Sequence, residues 1–148
     1  MSYRILTCAF VLLAALPVMA DEPTPEVFML EPPTPDPFCN DATTLIRVQS
    51  PRAGEAKLFI LGPDEHTIVR WLTFVGEWDF MDPGIHDFHW DGRDDNGALL
   101  PDETYLVHFE AAECWTCDPD FIAQAYVTID CPTATDAAPW QRIKRWFR

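Results

Sequence analysis

The sequence predicts an all-β fold, an antiparallel β-sandwich of six to seven short strands. Apolar and polar residues alternate with a period of two through much of the segment between Cys39 and Cys131, as they do in strands with one buried face. Gly, Pro, Asn and Asp interrupt this alternation at short intervals, which is typical of turns between strands. The 148 residues suffice for one domain, and the 14 prolines disfavour an all-helical chain.

The alternation predicts six strands and a less regular stretch around Trp78. Phe88 and Trp90 share one face of the fourth strand, and Tyr105 and Phe109 share one face of the fifth. We therefore expect these aromatic side chains in the core. The strands are predicted at residues 43–49, 56–61, 67–75, 85–90, 104–111 and 121–129.

The first 20 residues predict an export signal. Arg4 precedes an apolar run over residues 5–16, and Val18-Met19-Ala20 fits a small-residue cleavage site. The apolar run is shorter than the ~20 residues that span a bilayer. We therefore expect the mature chain to begin at Asp21 and to reside in the periplasm or outside the cell.

Residues 21–38 predict a Pro-rich spacer ahead of the domain, which is expected over residues 39–132. Six prolines favour an extended polyproline conformation in this segment. The apolar residues 27–30 interrupt the prolines and have three interpretations. They form an extra edge strand of the domain, add a strand to a partner's sheet, or make an apolar patch within the spacer.

The net charge of -14 is unevenly distributed. Residues 21–136 contain 24 acidic and five basic residues, whereas the last 12 residues contain four basic residues and no acidic one. This acidity argues against a nucleic-acid partner, because phosphate contacts need clustered Lys and Arg. Residues 133–148 predict a linker and a basic amphipathic tail. The tail lies on an anionic membrane surface, docks on an acidic domain, or stays frayed. Its expected contact residues are Trp140, Ile143, Arg145, Trp146 and Phe147.

Residues 83–111 carry the most specific pattern in the chain, PGIHDFHWDGRDDNGALLPDETYLVHFEA. This run resembles the FlgD-type immunoglobulin-like domain of bacterial exported proteins, and the preceding residues 63–72 look like the hairpin of that family. The resemblance implies an Ig-like sandwich that acts in protein–protein contact or in envelope or extracellular assembly, without catalysis. The residues that match the family motif are Gly84, Trp90, Asp91, Gly92, Arg93, Gly97 and Tyr105. Glu103 departs from the glycine that is common in the family, and it would be strained if this position required a positive φ.

The run WDGRDDNG at residues 90–97 predicts a structural corner, with Trp90 in the core and Asp91 accepting backbone amides of the following turn. The rival interpretation is a calcium site, since Asp91, Asp94, Asp95 and Asn96 offer hard oxygen ligands. Their spacing does not match an EF-hand loop. We therefore expect no metal and no cofactor.

Four cysteines remain after removal of the signal, and an even count in an exported chain predicts two disulfides. Cys39 and Cys131 bracket the domain, and Cys114 and Cys117 lie close together, which favours these two pairs. If the first strand runs parallel to the last, Cys39 lies nearer Cys114 or Cys117 instead. The CxxC spacing of Cys114 and Cys117 also suits a redox role, although the acidic residues that follow disfavour a reactive thiolate.

The chain contains no GxSxG, HExxH or P-loop motif. His86 and His89 lie three residues apart on one predicted strand, so they point to opposite faces and do not form a ligand pair. We therefore predict a non-enzyme, an exported binding or structural module with a protein partner. The alternatives are a peripheral membrane protein anchored by its tail and a thiol-disulfide protein that uses Cys114 and Cys117.

Overall fold

The structure is a computed structural model that describes residues 25–39 and 42–132. These residues form eight strands and no helix, in two antiparallel sheets, which confirms the predicted all-β sandwich. The predicted signal at 1–20 and the predicted tail at 133–148 lie outside the described residues. The strands are β1 (Met29–Leu30), β2 (Thr44–Ser50), β3 (Gly54–Leu61), β4 (Ile68–Trp71), β5 (Asp79–Met81), β6 (Gly84–Trp90), β7 (Thr104–Ala112) and β8 (Phe121–Thr128).

The two sheets differ in size. The smaller sheet has the strand order β1-β2-β6, and the larger sheet has the order β4-β3-β7-β8. The short strand β5 pairs with residues 54–56 of β3, and β4 pairs with residues 59–61 farther along the same strand. Strand β7 is central, because it pairs with β3 on one side and with β8 on the other.

The N-terminal segment is part of the sandwich, which selects the edge-strand interpretation of residues 27–30. Met29 pairs with Gln49 of β2 at the edge of the smaller sheet. The chain then passes Leu45 at the start of β2 and reaches Ile129, where Phe38 forms a parallel bridge. The described part of the Pro-rich segment therefore runs along the domain and crosses from the smaller sheet to the larger one.

The core lies between the two sheets. Trp90, Tyr105 and Phe109 are its largest fully buried side chains, and β2 and β3 contribute Ile46 and Leu58. Burial of each such side chain stabilises the fold by roughly 1.5–3 kcal/mol. The alternation along β6 and β7 thus places the predicted aromatic faces inward.

The third predicted strand, at 67–75, is shorter in the structure. β4 ends at Trp71, and the amides of Leu72 and Thr73 both donate to the carbonyl oxygen of Leu58, at 2.9 and 3.3 Å. Two successive amides directed at one carbonyl end the ladder, because a continuing strand alternates the direction of its hydrogen bonds. The less regular stretch that follows contains β5, which the sequence analysis did not predict.

Candidate functional site

The corner after β6 is a structural unit that is anchored by the buried Trp90. The indole Nε1 of Trp90 donates to the carbonyl oxygen of Arg93 at 3.0 Å, and the Trp90 ring contacts those of Tyr105 and Phe38 edge-on, at centroid distances of 5.4 and 5.5 Å. The hydroxyl of Tyr105 donates to the carbonyl oxygen of Pro101 at 2.9 Å. Each polar atom of these two aromatic side chains therefore holds the loop that follows Trp90.

The turn within this corner uses the predicted polar residues. Asp91 Oδ1 accepts the amide of Arg93 at 3.2 Å, and the Arg93 guanidinium donates to the carbonyl oxygen of Gly97 at 2.8 Å. Gly92 and Gly97 have φ values of 72° and 81°, which favour glycine because a Cβ would be strained there. The motif residues are thus brought together, and their contacts are those of a tight turn.

The remaining acidic residues of the loop fasten it to itself and to β4. Asp94 Oδ1 accepts the amides of Asn96 and Ala98 at 2.9 and 2.8 Å, and these hydrogen bonds lower the pKa of Asp94. Asp95 Oδ1 accepts the amide of Trp71 at 3.0 Å. The carboxylates of Asp91, Asp94 and Asp95 in the rival calcium interpretation therefore have separate protein partners. Within residues 25–39 and 42–132, no group of three or more His, Cys, Asp or Glu is placed to hold a metal ion.

Two backbone positions bear on the resemblance to the FlgD-type domain. Gly84, at the start of β6, has a φ of 137°, as a required glycine would. Glu103 does not have a positive φ. Among the described residues, the non-glycine residue with a positive φ is Glu65 in the β3–β4 turn, at 59°. Glu103 is therefore accommodated without the strain expected at a positive φ, in a turn that does not need glycine.

Both favoured disulfides are present. Cys39 and Cys131 have a Cα–Cα distance of 4.6 Å, and Cys114 and Cys117 have one of 5.2 Å. The first pair meets because the segment that ends at Phe38 crosses to the end of β8. The second pair closes an exposed turn between β7 and β8, in which the amide of Cys117 donates to the carbonyl oxygen of Cys114 at 3.0 Å.

The two histidines of β6 do lie on opposite faces. Asp87 and His89 are exposed, whereas His86 is half-buried and its Nε2 lies 2.7 Å from the carbonyl oxygen of Asp82. Asp87 forms a bidentate pair with Arg47 of β2, at 2.7 and 2.9 Å, and this contact lowers the pKa of Asp87. These contacts are local and lie at the surface of the smaller sheet.

A second apolar cluster lies on the face of the larger sheet that points away from the core, which we call the outer face. It consists of Phe59, Leu61 and Leu106, with Trp71 packed against them. The Phe59 ring is 4.9 Å from the Trp71 ring and is stacked on His108 at 4.8 Å. Over this cluster the larger sheet therefore has apolar side chains on both sides, unlike a sheet with one solvated face.

Hydrogen-bonded polar side chains lie in a row beside this cluster. His108 Nε2 lies 3.0 Å from Glu110 Oε1, and His108 Nδ1 lies 2.9 Å from the side-chain nitrogen Nε2 of Gln124. Lys57 places its ammonium over the ring of Trp78, 4.4 Å from the centroid, a favourable cation–π contact. The row fixes the histidine ring between Phe59 and two hydrogen-bond partners.

Large apolar side chains at the margin of the outer face are exposed to solvent. Tyr126 and Ile122 of β8 are 58% and 56% exposed, and Phe80 of β5 is 63% exposed. The hydroxyl of Tyr126 donates to Glu65 Oε1 at 2.9 Å, and this hydrogen bond raises the pKa of Tyr126. The ring thus reaches from β8 to the β3–β4 turn and stays accessible.

The sequence analysis missed the outer face because it assigned each strand one apolar face. The available signal was the continuous apolar run at residues 58–61 and another at 105–107, since unbroken runs are typical of strands covered on both sides.

Comparison with known proteins yields no matching family model and no matching curated protein. The FlgD-type resemblance therefore remains a prediction from the motif at residues 83–111. No helix among the described residues is long and apolar enough to cross a membrane.

Proposed function

We propose that this protein is an exported, non-catalytic binding module of the Ig-like type, which contacts a partner protein through the outer face of its larger sheet. The observation that carries the proposal is the exposure of Ile122, Tyr126 and Phe80 on that face. On a chain with a net charge of -14, a surface of aromatic and aliphatic side chains is suited to a protein contact.

The two disulfides support an oxidising compartment, because such bonds form and persist in exported proteins and are rare in the cytosol. The predicted signal at residues 1–20 agrees with this placement in the periplasm or outside the cell. The resemblance to the FlgD-type domain adds a role in contact or assembly, although fold analogy alone does not determine function.

The geometry offers less support for the redox alternative. A catalytic CxxC usually has its reactive thiolate at a helix N-terminus, which stabilises the negative charge. Cys114 and Cys117 instead lie in a turn between two strands, next to the exposed Glu113 and Asp118. The disulfide is therefore best interpreted as a structural clip of the β7–β8 connection.

The proposal is tested with two matched double variants of the full-length exported protein. Ile122→Ser with Tyr126→Ser removes apolar side chains from the outer face. Met29→Ser with Ile85→Ser removes side chains of similar exposure, 43% and 49%, from the smaller sheet. Each protein is immobilised and exposed to an extract of the producing cell's exported proteins, and the retained proteins are quantified by mass spectrometry.

We expect a defined protein to be retained by the wild type and by the Met29 and Ile85 control, and to fall at least tenfold with the outer-face variant. Circular dichroism checks that both variants are folded. Equal retention by the two variants, or no specific retention by the wild type, would contradict the proposed binding face.

A further inference from the structure

Strand β8 forms an edge of the larger sheet, and its backbone has an open side. The amide of Ile129, directly after β8, donates to the carbonyl oxygen of Glu103, directly before β7, at 2.9 Å. Because backbone groups alternate in direction along an antiparallel strand, residues 123, 125 and 127 also face β7. The N–H and C=O groups of Ile122, Gln124 and Tyr126 therefore point away from the sheet.

One end of this edge already accepts an added segment. The carbonyl oxygen of Thr128 accepts the amide of Phe38 at 3.0 Å, and the amide of Thr128 donates to Asp36 Oδ1 at 2.8 Å. Among the described residues, no such partner is found for the outward backbone groups of Ile122, Gln124 and Tyr126. The edge is thus competent for strand pairing and is open over these positions.

The usual protection of edge strands is missing from β8. Natural edge strands carry charged residues, proline or a bulge that prevents pairing with another chain. The sequence of β8 is FIAQAYVT, without charge or proline, and its register with β7 is unbroken. An exposed, regular and uncharged edge is the template that strand addition requires.

The charges at the two ends of β8 select the occupant. Asp118 precedes the strand and Asp130 follows it, and both are exposed. Asp102 joins the second end, where its Oδ2 accepts the amide of Cys131 at 3.2 Å. A second copy of the chain, paired antiparallel about Gln124, would set Asp118 opposite Asp130, and like charges in that position are destabilising. A segment with cationic ends meets attraction instead.

We propose that the open edge of β8 binds an extended partner segment by strand addition, and that this segment has alternating apolar residues in its middle and Lys or Arg at both ends. This inference rests on the proposed binding role and names the chemistry of the partner. The apolar side chains of the added strand would continue the outer face beyond Ile122 and Tyr126.

The test uses the full-length exported protein and two synthetic peptides with blocked termini. The probe is Lys-Lys-Thr-Val-Thr-Val-Thr-Lys-Lys, and the control peptide has Glu in place of every Lys. Nuclear magnetic resonance of backbone amides locates binding, and fluorescence anisotropy measures affinity. We expect amide shifts centred on Ile122, Gln124 and Tyr126, and an affinity at least tenfold higher for the lysine peptide at low salt.

A pair of variants at one position separates the backbone from the side chain. Gln124→Pro removes the outward N–H but no hydrogen bond to β7, and edge positions of this kind tolerate proline. Gln124→Ala removes the same side chain and keeps the N–H. We expect the proline variant to bind the probe at least tenfold more weakly, and the alanine variant to stay within twofold of the wild type. If the proline variant does not fold, two other results decide the question. One is the location of the amide shifts, and the other is Asp130→Asn, which should reduce the ratio of the lysine peptide's affinity to that of the glutamate peptide.

Equal binding by the two Gln124 variants would overturn the inference, as would shifts confined to other strands or equal affinity for the two peptides. Slow amide exchange at Ile122, Gln124 and Tyr126 in the free protein would also overturn it, because the edge would already be occupied. In that case, analytical sedimentation would distinguish an edge occupied by a second copy of the chain, which raises the mass, from one occupied by the chain's own residues 133–148, which does not. If the Ile122→Ser and Tyr126→Ser double variant loses the natural partner but Gln124→Pro retains it, the proposed binding face stands and binding by strand addition is refuted.

Discussion

The two disulfides are expected to contribute unequally to stability. The bridge between Cys39 and Cys131 spans a sequence separation of 92, and the bridge between Cys114 and Cys117 spans a separation of 3. In the chain-entropy description, a crosslink restricts the unfolded chain more as its loop lengthens. Loops of these sizes correspond to about 4.6 and about 1.6 kcal/mol of stabilisation.

The perturbation is a pair of double variants, Cys39→Ala with Cys131→Ala and Cys114→Ala with Cys117→Ala. Unfolding in urea is followed by far-ultraviolet circular dichroism, because the six tryptophans, including Trp115 in the local loop, prevent fluorescence from reporting one site. With a slope of about 2 kcal/mol per molar urea, the midpoint should fall by about 2 M for the long-range pair and about 1 M for the local pair. The two variants are matched in composition, so the difference between them reports loop length.

The reasoning is refuted if the local pair costs as much as the long-range pair, or more. Such a result would mean that the N-terminal segment is held by its other contacts. These contacts include the pairing of Met29 with β2 and the packing of Phe38 on Trp90. A spectrum of folded protein for both variants is the necessary control, since the comparison concerns stability and not the fold.

Three further predictions concern single positions. Gly54→Ala should destabilise the fold by about 1–3 kcal/mol in urea unfolding, because the added Cβ would lie 2.7 Å from a backbone oxygen of β7. Gly62→Ala is the control and should cost clearly less, since the closest contact of its Cβ is 3.4 Å. Equal effects of the two substitutions would contradict the predicted clash at Gly54. The pKa of Asp64, measured by carbon NMR, should be about 2, below its ordinary 3.8, chiefly because the Thr67 side chain donates to the carboxylate. The contribution of this carboxylate to folding stability is complete above about pH 4 and is lost as the pH falls through about 2. Thr67→Val should raise the pKa of Asp64, so an unchanged titration in that variant would count against the assignment. Tyr105→Phe should cost about 0.5–1.5 kcal/mol by removing the hydrogen bond to the carbonyl oxygen of Pro101. A neutral substitution would show that water replaces the hydroxyl.

Much of the fold was predictable from local pattern. The alternation over Phe88 and Trp90, and over Tyr105 and Phe109, identified the inward faces. The structure buries Trp90, Tyr105 and Phe109 and packs the half-buried Phe88 against the core. Turn chemistry at residues 90–97 was equally local, because Gly92 needs its positive φ within that corner whatever the rest of the chain does.

Other features depended on residues distant in sequence. Strand β5 has three residues and no pattern of its own, and it exists because it pairs with β3. The outer-face position of Phe59 became visible only when Trp71 and His108 were placed beside it. The pairing of Cys39 with Cys131 was favoured but not decided by position in the chain, since it required the segment before Cys39 to cross between sheets.

The sequence by itself determined an all-β chain, the inward face of its main strands and the turns between them. These properties follow from side-chain period and backbone preference, which act over a few residues. Only the tertiary structure decided which strand is an edge, where Ile122 and Tyr126 remain exposed, and which carboxylates surround β8. Those properties arise from pairing between segments far apart in the chain, and a local pattern carries no record of its distant neighbours.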